Sequence, residues 1–86
     1  MPKVSEFFGI SIYVYWGYHE PPHFHARYAG HKASIAIEDL SVLSGSLPRR
    51  AMGLAREWAM QHRPELLDPW LRAKDHQAVG KIAPLE

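Results

Sequence analysis

Three of the chain's six histidines lie in one short segment, from His19 to His25, and they are the residues best suited to chemistry. His23 and His25 are separated by one residue, and Arg27 follows at the same spacing. On a β-strand, residues two apart point to the same side, about 6.5–7 Å from each other. Imidazole titrates near neutral pH and also binds metal ions. The spacing therefore indicates either proton transfer or metal binding.

The first interpretation needs no metal. His23 and His25 act as general acid and base, and Arg27 binds a phosphate together with Arg49 and Arg50. Cleavage of RNA requires a base for the 2′-hydroxyl, an acid for the leaving oxygen and cations near the developing charge. A tyrosine can replace one imidazole. This interpretation predicts His23 and His25 as the catalytic residues.

The second interpretation is a metal site in which His19, His23 and His25 supply three nitrogen ligands. Three histidines and one open position form a known catalytic zinc arrangement. The chain has no cysteine to add a thiolate ligand. A cupin-type site also needs an acidic residue shortly after the histidines, where this chain has Ala29 and Gly30. No metal is therefore favoured, and zinc is the alternative cofactor.

The third interpretation is structural. Pro21 and Pro22 make a rigid turn, and the histidines that follow them would then bond backbone groups and hold this turn in place. His62 fits such a role because a helix C-terminus favours a cationic imidazole. Arg49 and Arg50 occupy a predicted helix start, where cations are unfavourable, so a bound anion would stabilise them.

Length and composition limit the possible functions. The chain has 86 residues, with 47% hydrophobic and 22% charged side chains and a net charge of +1. These values predict one globular domain spanning residues 1–86 and exclude a two-domain enzyme. The charge gives no overall basic field for nucleic acid. No signal peptide or membrane span is recognisable, so we expect a cytoplasmic protein without a membrane partner.

The period of the hydrophobic pattern changes along the chain. Alternation typical of strands extends over residues 4–43, and helical spacing extends over residues 48–76, followed by a tail at 77–86. The predicted class is α+β, a small antiparallel sheet of three or four strands packed against two C-terminal helices. His23, His25 and Arg27 would share one face of this sheet. Ser11, Tyr13 and Tyr15 would lie beside them if the register allowed.

Several blocks together resemble a bacterial family, domain of unknown function 4160. They are Phe7-Phe8-Gly9-Ile10, Pro21-Pro22-His23-Phe24-His25, Leu47-Pro48-Arg49-Arg50, Glu57-Trp58-Ala59 and His62-Arg63. The resemblance covers nearly the whole chain. It implies a small prokaryotic protein that is often encoded beside a second small family, domain of unknown function 2442.

Such pairs look like type II toxin–antitoxin modules, which places this chain in the toxin position. The family blocks select His23, His25, Arg27, Arg49, Arg50, Trp58, His62 and Arg63. Arg63 thereby joins the candidate phosphate-binding residues. The resemblance thus implies a ribonuclease-like toxin that acts on RNA or translation and has a small antitoxin-like partner. The alternatives are a non-catalytic protein-interaction module and a histidine-ligated metal-binding protein.

Overall fold

A computed structural model describes residues 3–14, 21–66 and 81–86. Its strands form one antiparallel sheet in chain order: β1 (Lys3–Phe7), β2 (Ile10–Tyr13), β3 (His23–Tyr28), β4 (His31–Ala36) and β5 (Val42–Ser46). Helix α1 (Arg49–Gln61) follows, and the chain is helical again at residues 63–66. The predicted α+β class is confirmed, with five strands rather than three or four.

Two tight turns lie at the same end of the sheet. Phe8 and Gly9 join β1 to β2, and Ala29 and Gly30 join β3 to β4, all with positive φ between 48° and 85°. Two-residue turns of this kind match the right-handed twist of the strands that they connect. The pairing of β3 with β4 runs without a shift from its turn to His23 and Ala36, whereas the pairing of β1 with β2 shifts between Lys3 and Ser5.

The additional strand is β5, at a place where the sequence predicts a transition to the helices. All five of its residues are exposed, so it has no alternation of buried and exposed positions. Gly45 allows it to pair with β4, since a Cβ atom there would lie 2.2 Å from the Lys32 carbonyl oxygen. This pairing depends on a backbone contact across the sheet, which hydrophobic periodicity does not encode.

Helix α1 covers one face of the sheet. Its buried residues are Ala51, Ala55, Trp58 and Ala59. The Trp58 ring lies 5.5 Å from that of Phe7 and 5.9 Å from that of Phe24, centroid to centroid. Full burial of large apolar side chains contributes about 1.5–3 kcal/mol each. This layer of helix on sheet is therefore the main source of stability.

The C-terminal residues pack against β1 and α1. The Ile82 amide donates a hydrogen bond to the Val4 carbonyl at 2.7 Å, and the Trp58 indole donates one to the Ala83 carbonyl at 2.8 Å. The weak alternation of apolar residues at 81–85 predicts an additional edge strand, but residues 81–86 form no strand. They still cover the β1 edge of the sheet.

Candidate functional site

The residues of β3 alternate between the two faces of the sheet. Phe24 and Ala26 are fully buried on the face that α1 covers. His23 and His25 are partly exposed and Arg27 is exposed, in the alternate positions of the same strand. A strand projects successive side chains to opposite faces. The row of two imidazoles and one guanidinium therefore lies on the face opposite α1.

The neighbouring strands add polar residues to this row. Tyr13 and Ser34 stand opposite His25, on β2 and β4 respectively. Ser11 and Lys32 stand opposite Arg27 on the same two strands. Residues directly opposite each other in antiparallel strands share a face. We call this surface the polar sheet face, and it comprises Ser11, Tyr13, His23, His25, Arg27, Lys32 and Ser34. Tyr15, the third predicted neighbour, lies outside the described residues.

The two imidazoles are in contact. Their ring centroids are 5.1 Å apart, and the rings meet edge to face at 67°. The Nδ1 of His23 lies 2.9 Å from the Pro21 carbonyl oxygen, which can only accept a hydrogen bond. Nδ1 of His23 therefore carries a proton, and Nε2 is the nitrogen that accepts one in the neutral ring. The turn residue Pro21 thus sets the tautomer of His23.

The His25 ring is held neutral. Burial lowers its pKa to about 4, and the positive charges of His23, Arg27 and Lys32 act in the same direction. Its Nδ1 lies 3.2 Å from the Ser34 hydroxyl oxygen. An imidazole that is unprotonated at pH 7 can accept a proton but cannot donate one as an imidazolium. His25 is therefore free of its own proton at neutral pH, but a pKa of about 4 makes it a weak base in the unliganded protein.

Arg27 stacks on a tyrosine. Its guanidinium carbon lies 5.0 Å from the centre of the Tyr13 ring. Such a cation–π contact contributes about 0.5–1 kcal/mol at an exposed site. It holds the cation on the polar sheet face beside His25.

The other predicted arginines belong to the helical part of the chain. Arg49 and Arg50 are exposed at the start of α1, the helix that covers the opposite face of the sheet. The Arg63 Nε donates a hydrogen bond to the Ile37 carbonyl at 3.1 Å. Arg56, absent from the sequence prediction, donates one to the Leu40 carbonyl at 3.2 Å. The structure thus groups Arg27 with the histidines and places Arg49 and Arg50 on the helix.

His62 also lies on the helical side. Its ring packs 5.5 Å from that of Trp58, and its Nδ1 lies 2.9 Å from a Glu65 carboxylate oxygen. Its backbone amide bonds the Trp58 and Ala59 carbonyls at the end of α1. These contacts agree with the structural role predicted for this residue.

Sequence analysis missed Lys32 and Ser34 as members of the polar sheet face. The signal was present, because Lys32 and Ser34 alternate with the buried Ala33 and Ile35. Their proximity to the histidines, however, depends on the register between β3 and β4.

Among the described residues, no three His, Cys, Asp or Glu side chains come together to bind a metal ion. His19, the third nitrogen ligand of the predicted zinc site, lies outside those residues, so the set His19, His23 and His25 stays a prediction.

No helix in the described part of the chain is long and apolar enough to cross a membrane. No curated protein and no solved structure matches the chain. A family model described as Domain of unknown function (DUF4160) matches residues 9–71, which include the whole polar sheet face and α1. Since this match extends over more than half of the chain, the protein belongs to the DUF4160 family.

Proposed function

We propose that this protein is the toxin of a type II toxin–antitoxin pair and cleaves RNA in the cytoplasm with His23 and His25. The observation that carries the proposed RNA cleavage is the contact of two imidazoles, with ring centroids 5.1 Å apart, in one row with Arg27 on the face opposite α1. The toxin role rests on the resemblance to toxin–antitoxin modules. A small antitoxin-like protein is the partner in this proposal. It would act by covering the polar sheet face.

The reaction divides between the two histidines. His25, held neutral, accepts the proton of an RNA 2′-hydroxyl, and the resulting oxygen attacks the adjacent phosphorus. The bond from phosphorus to the 5′-oxygen breaks, and His23 donates a proton to that oxygen. The products are a 2′,3′-cyclic phosphate and a 5′-hydroxyl end. Arg27, the next residue on this face of β3, holds the RNA backbone close to the histidines with its positive charge.

Substrate binding improves His25 as a base. Three nearby positive groups, His23, Arg27 and Lys32, contribute to its low pKa. A phosphate bound beside them offsets those charges and raises the pKa of His25 toward the working pH, where a general base is most effective.

The test is cleavage of a single-stranded RNA by the purified full chain, with His23→Gln and His25→Gln as variants and His62→Gln as the matched histidine control. We expect each site variant to lower the cleavage rate about 100-fold or more, and His62→Gln to leave it within about threefold. The wild-type product should carry a 2′,3′-cyclic phosphate, and substrate with a 2′-deoxy sugar at the cleaved position should stay intact.

Circular dichroism establishes that each variant folds, and growth of a bacterial host after induction gives a second readout. Growth arrest by wild type, relieved by the folded His23→Gln/His25→Gln variant, is the expected result. Equal arrest by wild type and that variant, or cleavage of RNA that lacks the 2′-hydroxyl, would overturn the proposed chemistry.

A second candidate function is a non-catalytic interaction module, and β5 favours it, since no strand within the described residues pairs with its outer side. β5 lies at the end of the strand order, and its Val42 and Leu43 are 39% and 43% exposed. An exposed sheet edge can accept a strand from another protein. Leu43→Lys should then abolish binding of the cognate protein while leaving the polar sheet face unchanged. Unaltered binding by this variant would exclude the β5 edge.

A further inference from the structure

An open hollow of about 410 Å³ lies at one end of the polar sheet face. It is located where the turns of Gly9 and Gly30 meet. The side chains that line it are those of Ser11, Tyr13, Arg27, Tyr28, His31 and Lys32. Of these, only Arg27 was singled out by sequence analysis for binding an anion.

The charged side chains that line the hollow are basic, and Glu6, opposite Ser11 on β1, forms an ion pair with Lys3. Arg27 and Lys32 stand directly opposite each other on β3 and β4. Like charges in this position destabilise a strand pair. The described residues that line the hollow include no carboxylate, while Ser11, Tyr13 and Tyr28 supply hydroxyl groups. An anion with several oxygen atoms, such as a phosphate, would relieve the repulsion and accept hydrogen bonds from these groups.

The hollow also continues the histidine row. Arg27 follows His25 on the same face of β3, and Tyr13 stands opposite His25 while lining the hollow. Two residues along a strand span about 6.5–7 Å. This separation matches that of successive phosphates along an extended polynucleotide. The aromatic rings of Tyr13 and Tyr28 offer contacts that every nucleotide can use, whatever its sequence.

We propose that this hollow binds the phosphate next to the reacting one in a single-stranded RNA, with Arg27 and Lys32 as its cationic ligands. The proposal rests on the proposed function, because it places the reacting phosphate at His23 and His25. Lys32 is assigned a binding role, and the RNA is held across the β2–β3–β4 surface.

The test is binding of a fluorescently labelled, 2′-O-methylated single-stranded RNA to the full chain, measured by anisotropy at several salt concentrations. This probe lacks the attacking hydroxyl, so binding is measured without cleavage. The variant is Arg27→Gln/Lys32→Gln. Its matched control, Arg49→Gln/Arg50→Gln, also removes two positive charges, at the start of α1. Since the sequence predicted these arginines as phosphate ligands, the two variants decide between the two sets of cations.

We expect the Arg27→Gln/Lys32→Gln variant to bind about tenfold or more weakly. The slope of log K against log salt should shrink by about 1.4, since each phosphate contact in single strands contributes about 0.7. The control should bind within about threefold of wild type. Lys32→Arg, which keeps the charge, should bind nearly as wild type does. Equal losses in the two double variants, or a loss only in the control, would overturn the proposal.

Inorganic phosphate and the His25→Gln variant separate the remaining outcomes. If inorganic phosphate binds as tightly as the oligonucleotide, the hollow is a site for free phosphate and the assignment to RNA is wrong. His25→Gln should lose cleavage, and its affinity for the methylated RNA should fall less than that of Arg27→Gln/Lys32→Gln. If the RNA binds through the hollow but no RNA is cleaved, the proposed cleavage is wrong and the phosphate site stands. If cleavage does not depend on Arg27 and Lys32, the phosphate site is wrong and the proposed cleavage stands.

Discussion

The two faces of β3 differ in role: one packs in the hydrophobic core, and the other carries the candidate functional residues. Phe24 and Ala26 have no exposed surface and pack beneath α1, whereas His23 and His25 between and beside them are only partly buried. Apolar burial on one face supplies the stability, and the polar sheet face carries the groups able to transfer protons. Because the faces alternate residue by residue, substitutions one position apart should affect different properties.

The arginines show the same division. Arg56 and Arg63 bind the backbone carbonyls of Leu40 and Ile37, which fastens the segment after β4 to the helical part. Arg27 instead stacks on Tyr13 among the polar residues of the sheet. Arginines therefore stabilise the fold in the helical part of the chain and contribute to the candidate site on the polar sheet face.

The largest expected effect is the contrast between Phe24→Ala and His25→Asn. Phe24→Ala removes a fully buried ring that contacts Trp58 and should lower the free energy of unfolding by about 3–5 kcal/mol. His25→Asn loses the contact with the Ser34 hydroxyl and should cost about 1 kcal/mol. Urea denaturation measures both. Similar losses would mean that the polar sheet face is as structural as the covered face.

The next effect compares two glycines near the polar sheet face. Gly45→Ala should cost about 3 kcal/mol, because φ is +73° and the added Cβ would meet the Lys32 carbonyl oxygen at 2.2 Å. Gly30→Ala should cost about 1–2 kcal/mol, since φ is +85° but no atom lies within 4 Å of the new methyl group. Thermal unfolding gives both values. If Gly45→Ala were the milder change, the close pairing of β5 with β4 would be wrong.

A smaller difference in the free energy of unfolding is expected between two arginines of the helical part, Arg63 and Arg49. Arg63→Ala removes a bond from a cation to the Ile37 carbonyl and should destabilise the protein by about 1.5 kcal/mol. Arg49→Ala changes an exposed side chain and should stay within about 0.5 kcal/mol of wild type. Chemical denaturation of the two variants side by side is the measurement. A larger loss for Arg49→Ala would show that this residue, too, holds the fold.

The smallest effect is the pH dependence due to His25. Its pKa falls from 6.5 to about 4 on folding, so the folded state binds fewer protons than the unfolded state between these values. The stability is complete above pH 6.5 and declines as the pH drops toward 4. Water screens this half-buried ring, so we expect a loss of about 1 kcal/mol.

Histidine proton NMR should find the His25 ring neutral at pH 6, and Lys32→Gln should raise its pKa by removing one nearby charge. His25→Gln should flatten the decline in stability over the same interval. A His25 pKa near 6.5 in the wild-type protein would contradict the environment described for the polar sheet face.

Much of the fold follows from local patterns. Alternation over residues 23–28 predicts a strand with His23, His25 and Arg27 on one face, as the structure has it. Three- and four-residue spacing after Pro48 predicts a helix with Ala51, Leu54, Ala55, Trp58, Ala59 and His62 on one face. Four of these residues are buried in α1, whereas Leu54 and His62 are only partly buried. Both patterns arise from neighbours along the chain, so they need no knowledge of its other parts.

Local patterns could not predict the fully exposed strand β5 or the residues of neighbouring strands that surround the histidines. β5 has no buried face, and its pairing depends on a glycine that meets the backbone of β4. Lys32 lies beside Arg27 because of the register between β3 and β4. Arg49 and Arg50, which the family blocks group with Arg27, lie instead on α1, the helix that covers the other face of the sheet.

The sequence by itself determined the class of the fold, which residues of β3 share a face and the types of group that can do chemistry, because side-chain direction has a fixed period within each element. It left open whether His23 and His25 face solvent or the core. The tertiary structure decided which of those groups meet. Strand register and the side of the sheet on which α1 packs are set by long-range pairing and burial, and a shift of one residue would exchange the two faces. It is this pairing that places Tyr13, Ser34 and Lys32 around His25 and Arg27.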